Sequence, residues 1–106
     1  MGVAVLSDPE PERNGFTRSD QYSFIRRGIP ALSFKVGFTR GSPEHETVKR
    51  WRTERYHAPS DDLAQPIDRQ AAEDFNKVYL TLVEAVASRA TRPAWNEESF
   101  FRRFAK

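Results

Sequence analysis

The chain has no cysteine and only two histidines in 106 residues. Without cysteine there are no disulfides, no thiolate nucleophile and no thiolate-held zinc or iron–sulfur cluster, so a metal would have to be bound through His, Asp and Glu. Long apolar runs are missing as well. No stretch approaches the roughly 20 apolar residues of a membrane helix, and the first residues show no basic segment leading into an apolar one. Neither a membrane span nor a secretory leader is therefore expected, and nothing in the chain is a compartment address. Leu6 stands where an N-myristoylation signal carries Ser or Thr, which removes that anchor too. Charge of one sign is scarce: 17 Lys and Arg against 15 Asp and Glu leave +2. That balance argues against a nucleic-acid or membrane-surface protein working through its field. The basic residues that do cluster, Lys49 to Arg55 and Arg102 to Lys106, alternate with Trp51, Phe100, Phe101 and Phe104. In both places aromatic packing is the preferred reading over stacking on bases.

What is present fits one domain's length, with a thin core: 38% of residues are hydrophobic, 30% are charged and the mean hydropathy is −0.73. Val3, Ala4, Val5 and Leu6 form a short apolar run closed by Ser7-Asp8-Pro9, which predicts a buried strand. A loop with Pro9, Pro11, Asn14 and Gly15 leads to Ser19-Asp20, an N-cap for a short helix over residues 21–27 that Gly28 terminates. Ile29-Pro30-Ala31-Leu32-Ser33-Phe34 predicts a second strand, with Pro30 tolerable near its start. Ser42-Pro43-Glu44 then reads as N-cap, first helical position and acidic first turn of a helix reaching about residue 53. From about Asp68, Ala71, Ala72, Phe75, Val78, Tyr79, Leu82, Val83, Val86, Ala87 and Ala90 recur at three- and four-residue steps, the mark of a long amphipathic helix stopped by Pro93. Its wide apolar stripe calls for a covering sheet, and the aromatic tail from Ala94 calls for a surface to dock on. The fold class expected is α/β. No repeat, low-complexity tract or linker divides the chain.

Two constellations could carry chemistry. In Tyr56-His57-Ala58-Pro59-Ser60-Asp61-Asp62, Pro59 restricts Ala58, and a carboxylate follows His57 within reach of a second imidazole N–H, as a metal-ligating histidine requires. The alternative is a capped turn carrying a surface histidine. In Arg18-Ser19-Asp20-Gln21, Asp20 either caps the short helix or points into a site, capping being the simpler reading. Tyr22, Phe24 and Phe38 are candidates for a substrate pocket, with core packing as the alternative.

Taken together, Phe16-Thr17-Arg18-Ser19-Asp20-Gln21-Tyr22-Ser23-Phe24, then Gly28-Ile29-Pro30-Ala31-Leu32, then Tyr56-His57-Ala58-Pro59-Ser60-Asp61-Asp62 resemble the C-terminal third of the zinc-dependent aminopeptidases related to glutamate carboxypeptidase and glutaminyl cyclase. The resemblance runs from about Val3 to the tail. It implies a fragment of a zinc-exopeptidase α/β sandwich, with two or more short strands, a short helix and one long C-terminal helix. Residues 1–106 would be a single C-terminal segment of a peptidase catalytic domain. It further implies that His57 is the last ligand of one zinc in a two-zinc centre, that Asp61 orients the loop or the imidazole, and that Asp20 sits behind the metal ligands. Two such metals would activate a bridging water for attack on a peptide carbonyl.

The rest of that family's ligand set has no counterpart here. Glu97-Glu98 follows His57 instead of preceding it, Gln21 replaces a His that many relatives carry, and His45 lies at an expected helix start. A catalytic zinc takes about three protein ligands and an open position, so the chain alone is expected to bind no zinc tightly and to be inactive. Its expected partner is the missing N-terminal part of the peptidase: a reading frame upstream of Met1 that encodes the other ligands would make the chain a truncation, and one that does not would make it a stand-alone relic or binding protein. The alternative is a non-enzymatic module in which a second copy covers the same apolar faces. Peptide would be substrate only for the completed enzyme; nucleic acid and membrane are not expected partners.

Overall fold

The structure is a computed structural model and describes residues 2–105; Met1 and Lys106, the latter part of the basic tail cluster, lie outside the described residues. It divides into two compact units. The first joins the residues up to Pro9 to Val36–Leu80, and the second joins Glu10–Lys35 to the residues from Thr81 onward. Among the described residues there are three α-helices: α1 Gln21–Ile25, α2 Pro43–Glu54 and α3 Arg69–Ala87. Single 3₁₀ turns occupy Pro11–Arg13 and Phe100–Phe104.

Among the described residues there is no β-strand, which overturns the expected α/β sandwich and both of its strands. Residues 3–6 are not buried: Val3 is 58%, Val5 97% and Leu6 60% exposed. In residues 29–34, Ile29 and Leu32 are exposed as well. The physical reason is that an apolar run records a capacity for burial, whereas a strand exists only where a neighbour takes up its backbone N–H and C=O groups. Among the described residues no neighbour pairs with either run, so both stay irregular.

Among the described residues, each unit has one buried residue. In the second, Ile25 at the end of α1 is fully buried. Gly28 follows at φ 87°, the left-handed geometry that ends a helix readily only with glycine. The aromatic tail belongs to this unit, where Phe101 meets Phe16 edge-on at 5.2 Å and Trp95 at 5.4 Å.

In the first unit the buried residue is His45, in the opening turn of α2. Ser42 is the N-cap, and its hydroxyl accepts the His45 N–H at 3.2 Å. Pro43 occupies the first turn, and Glu44 and Glu46 place negative charge at the positive end of the helix dipole. His45 answers the cap: its Nδ1 accepts the Gly41 N–H at 2.9 Å, and its ring stacks on Phe38 at 5.0 Å. The Ser42 half of this arrangement is that of a capping box, but the imidazole bonds the N–H of the residue before the cap, while the Ser42 N–H donates to the Thr39 carbonyl at 3.0 Å. Gly41 makes the approach at φ 83°, where a side chain would be strained.

α3 starts on Asp68, whose carboxylate accepts the Ala71 N–H at 3.0 Å. Arg69 to Leu80 belong to the first unit and Thr81 to Ala87 to the second. Phe75, Val78 and Leu82 are half-buried, but Tyr79, Leu80, Val83 and Val86 are exposed by 44–58%. Among the described residues no sheet covers this stripe, contrary to expectation. No helix among the described residues is long and apolar enough to cross a membrane.

Candidate functional site

The end of α2 delivers the segment that holds His57. Arg55 N–H and Tyr56 N–H both donate to the Trp51 carbonyl, at 2.9 and 3.0 Å, so the chain leaves the helix tightly coiled. The next residue, His57, has φ 58°. Left-handed backbone at a non-glycine residue costs about 1–3 kcal/mol and persists where its surroundings over-determine it; histidine is among the residues found there more often than most.

The surroundings supply several ties. Arg55 Nη1 donates to the Ser60 carbonyl at 2.6 Å, and Ser60 Oγ donates back to the Glu54 carbonyl at 2.7 Å. Asp61 N–H donates to the Ala58 carbonyl at 3.0 Å, closing the turn that contains Pro59. The Asp62 carboxylate accepts the Ala64 N–H at 2.8 Å. The His57 ring is exposed and lies against Tyr56, with centroids 3.8 Å apart and planes 23° from parallel.

The residues expected at the site fall into two groups. His57 and Asp61 share this loop, and Phe38 lies in the same unit, stacked on His45. Asp61 Oδ1 accepts the Gln65 side-chain amide at 2.6 Å, so the carboxylate is engaged with the far end of the loop. Asp20, Tyr22 and Phe24 belong to the second unit. Asp20 holds the N-cap position of α1 with helical backbone angles; its carbonyl accepts the Ser23 N–H at 3.3 Å but its carboxylate caps no first-turn N–H, while Phe24 is 58% exposed and Tyr22 half-buried.

Among the described residues, no three His, Asp or Glu side chains gather into a group that could hold a metal ion. A single exposed imidazole beside a carboxylate already engaged with an amide is one ligand, and a catalytic zinc needs about three. The donor set therefore does not fit a zinc held by this chain alone.

A shallow groove of about 460 Å³ runs along the first half of α3, lined by Ile67, Arg69, Ala72, Glu73, Asn76, Lys77 and Leu80. Lys77 and Glu73 pair there at 2.7 Å. None of the expected site residues lines it.

Sequence reasoning missed the residues that tie the loop to α2. Trp51 is tilted against Tyr56 at 5.1 Å, and its indole N–H donates to Gln65 Oε1 at 3.0 Å. Gln65 lies 14 residues beyond Trp51 and outside α2, so no helical periodicity links the two. The only local signal was the Tyr56-His57 adjacency.

The model of Peptidase family M28 matches residues 1–83 of the chain. No match was found to a curated protein or to a solved structure.

Proposed function

Since the chain belongs to peptidase family M28, a generally zinc-dependent family, we propose that residues 1–106 are a C-terminal segment of an aminopeptidase catalytic domain. In this reading the segment supplies one metal ligand, His57, to a centre whose other ligands and general base come from the remainder of the domain. The completed enzyme hydrolyses N-terminal peptide bonds, and the segment alone has no peptidase activity.

The observation that carries this reading is the open stripe of α3. Leu80, Val83 and Val86 are exposed apolar residues of this helix in a chain whose described residues include one buried hydrophobic side chain, Ile25. Such a face marks an interaction surface, and in a peptidase family the rest of the catalytic domain is its natural cover.

Calorimetric titration of zinc into the full chain, run beside an aminoacyl-anilide assay, tests the proposal. Weak binding that His57→Ala abolishes, with no turnover, is the expected result. Two tightly held ions coordinated within the chain, or turnover proportional to its concentration, would overturn it. A stable dimer that shields α3 from solvent would replace it with the homo-oligomeric module.

A further inference from the structure

We infer that Gln65 is a positioning residue for the His57 imidazole, the central link of a clamp that runs from α2 through the loop and back. Its side-chain amide is used at both ends. Oε1 accepts the Trp51 indole N–H at 3.0 Å, and Nε2 donates to Asp61 Oδ1 at 2.6 Å. Trp51 in turn packs on Tyr56 at 5.1 Å, and Tyr56 stacks on the His57 ring at 3.8 Å.

The path His57, Tyr56, Trp51, Gln65, Asp61 therefore leaves the loop on one side of His57 and re-enters it on the other. Both Trp51 and Gln65 are half-buried, whereas Tyr56, His57 and Asp61 are exposed, so the anchor lies at the helix and the ring is presented to solvent. A left-handed residue such as His57, with φ 58°, needs fixing from both flanks. Backbone ties at Ser60 set the width of the loop, and the clamp sets the ring. The Asp61 carboxylate is engaged by the Gln65 amide, and the exposed imidazole is held by its stack on Tyr56. For its purpose the clamp rests on the reading of His57 as a metal ligand; for its existence it rests on these contacts alone.

Proton NMR of the full chain, freed of metal by a chelator, separates the two. The imidazole C–H resonances of His57 should be displaced upfield by the Tyr56 ring, and those of His45, under Phe38, provide an internal record of folding. Gln65→Leu is expected to abolish the His57 displacement and leave His45 unchanged. Gln65→Glu, nearly isosteric, keeps the acceptor for Trp51 but sets two carboxylates against each other, and should also abolish it. Adding Asp61→Asn to Gln65→Glu restores the bond between residues 61 and 65 with donor and acceptor exchanged, leaves the Trp51 N–H bond in place, and should return the displacement.

An unmoved His57 signal in Gln65→Leu, or no recovery in the paired exchange, overturns the clamp. Should Gln65→Leu also disturb His45, the isosteric pair decides by itself. Because zinc is absent throughout, failure of the metal-ligand reading appears only in the titration and failure of the clamp only here.

Discussion

α2 and α3 solve the same problem in opposite ways. α2 is polar, and its stability comes from groups within a few residues of its own ends: the Ser42 cap, the His45 bond to Gly41, and the Glu46–Lys49 pair at 2.9 Å. α3 is longer and amphipathic, and beyond the Asp68 cap its sequence relies on a face that is open to solvent. Helices draw most of their stability from tertiary packing of an apolar face. α2 is thus the helix that is complete within these residues, and α3 is the one that awaits a surface.

The sharpest way to break that comparison is at His45. His45→Ala removes the acceptor for a backbone N–H and the stack on Phe38, and should cost about 1–3 kcal/mol, read as lower urea resistance and reduced far-UV circular dichroism. Ser42→Ala should cost about 1 kcal/mol on the same measurements, since it strips the cap but leaves the buried ring. On α3, Val83→Ala should change the stability of the isolated chain by less than about 0.5 kcal/mol, as at an ordinary surface position. A large loss there would mean that the face is already covered. The smallest effect concerns Glu46, whose carboxyl is held below its ordinary value of 4.5 chiefly by the hydrogen bond from the Lys49 ammonium. A depressed carboxylate stabilises the folded state above its unfolded value, and the contribution fades as pH falls through the lower folded value. Acid titration of Glu46→Gln should therefore show a slightly flatter loss of helix below pH 4.5 than the parent chain, with the difference shrinking in high salt.

The same contrast explains what could be read before the fold was known. Ser42 and Pro43 located the start of α2, Gly28 the stop after α1, and Asp68 the start of α3, because caps and breakers act within one turn. The expected end of α3 at Pro93 was late: the helix stops at Ala87. The two strands failed because a ladder is a property of pairs, and nothing in Val3 to Leu6 says whether a second strand lies alongside. At the site, Tyr56-His57 and Asp61 were legible as a compact motif. The Gln65 bridge was not, because a contact between a helix residue and a loop residue leaves no periodic trace. The placement of Asp20, Tyr22 and Phe24 in a different unit from His57 was equally invisible from spacing.

The backbone turn at His57 makes that position separable into two properties that can be edited independently. Glycine and asparagine accept its φ of 58° readily, so His57→Asn discards the ring and preserves the bend of the main chain. A β-branched replacement such as His57→Val would lose both at once. Comparing the asparagine and valine variants therefore divides whatever this residue contributes into the share owed to its nitrogens and the share owed to the shape of the polypeptide around it.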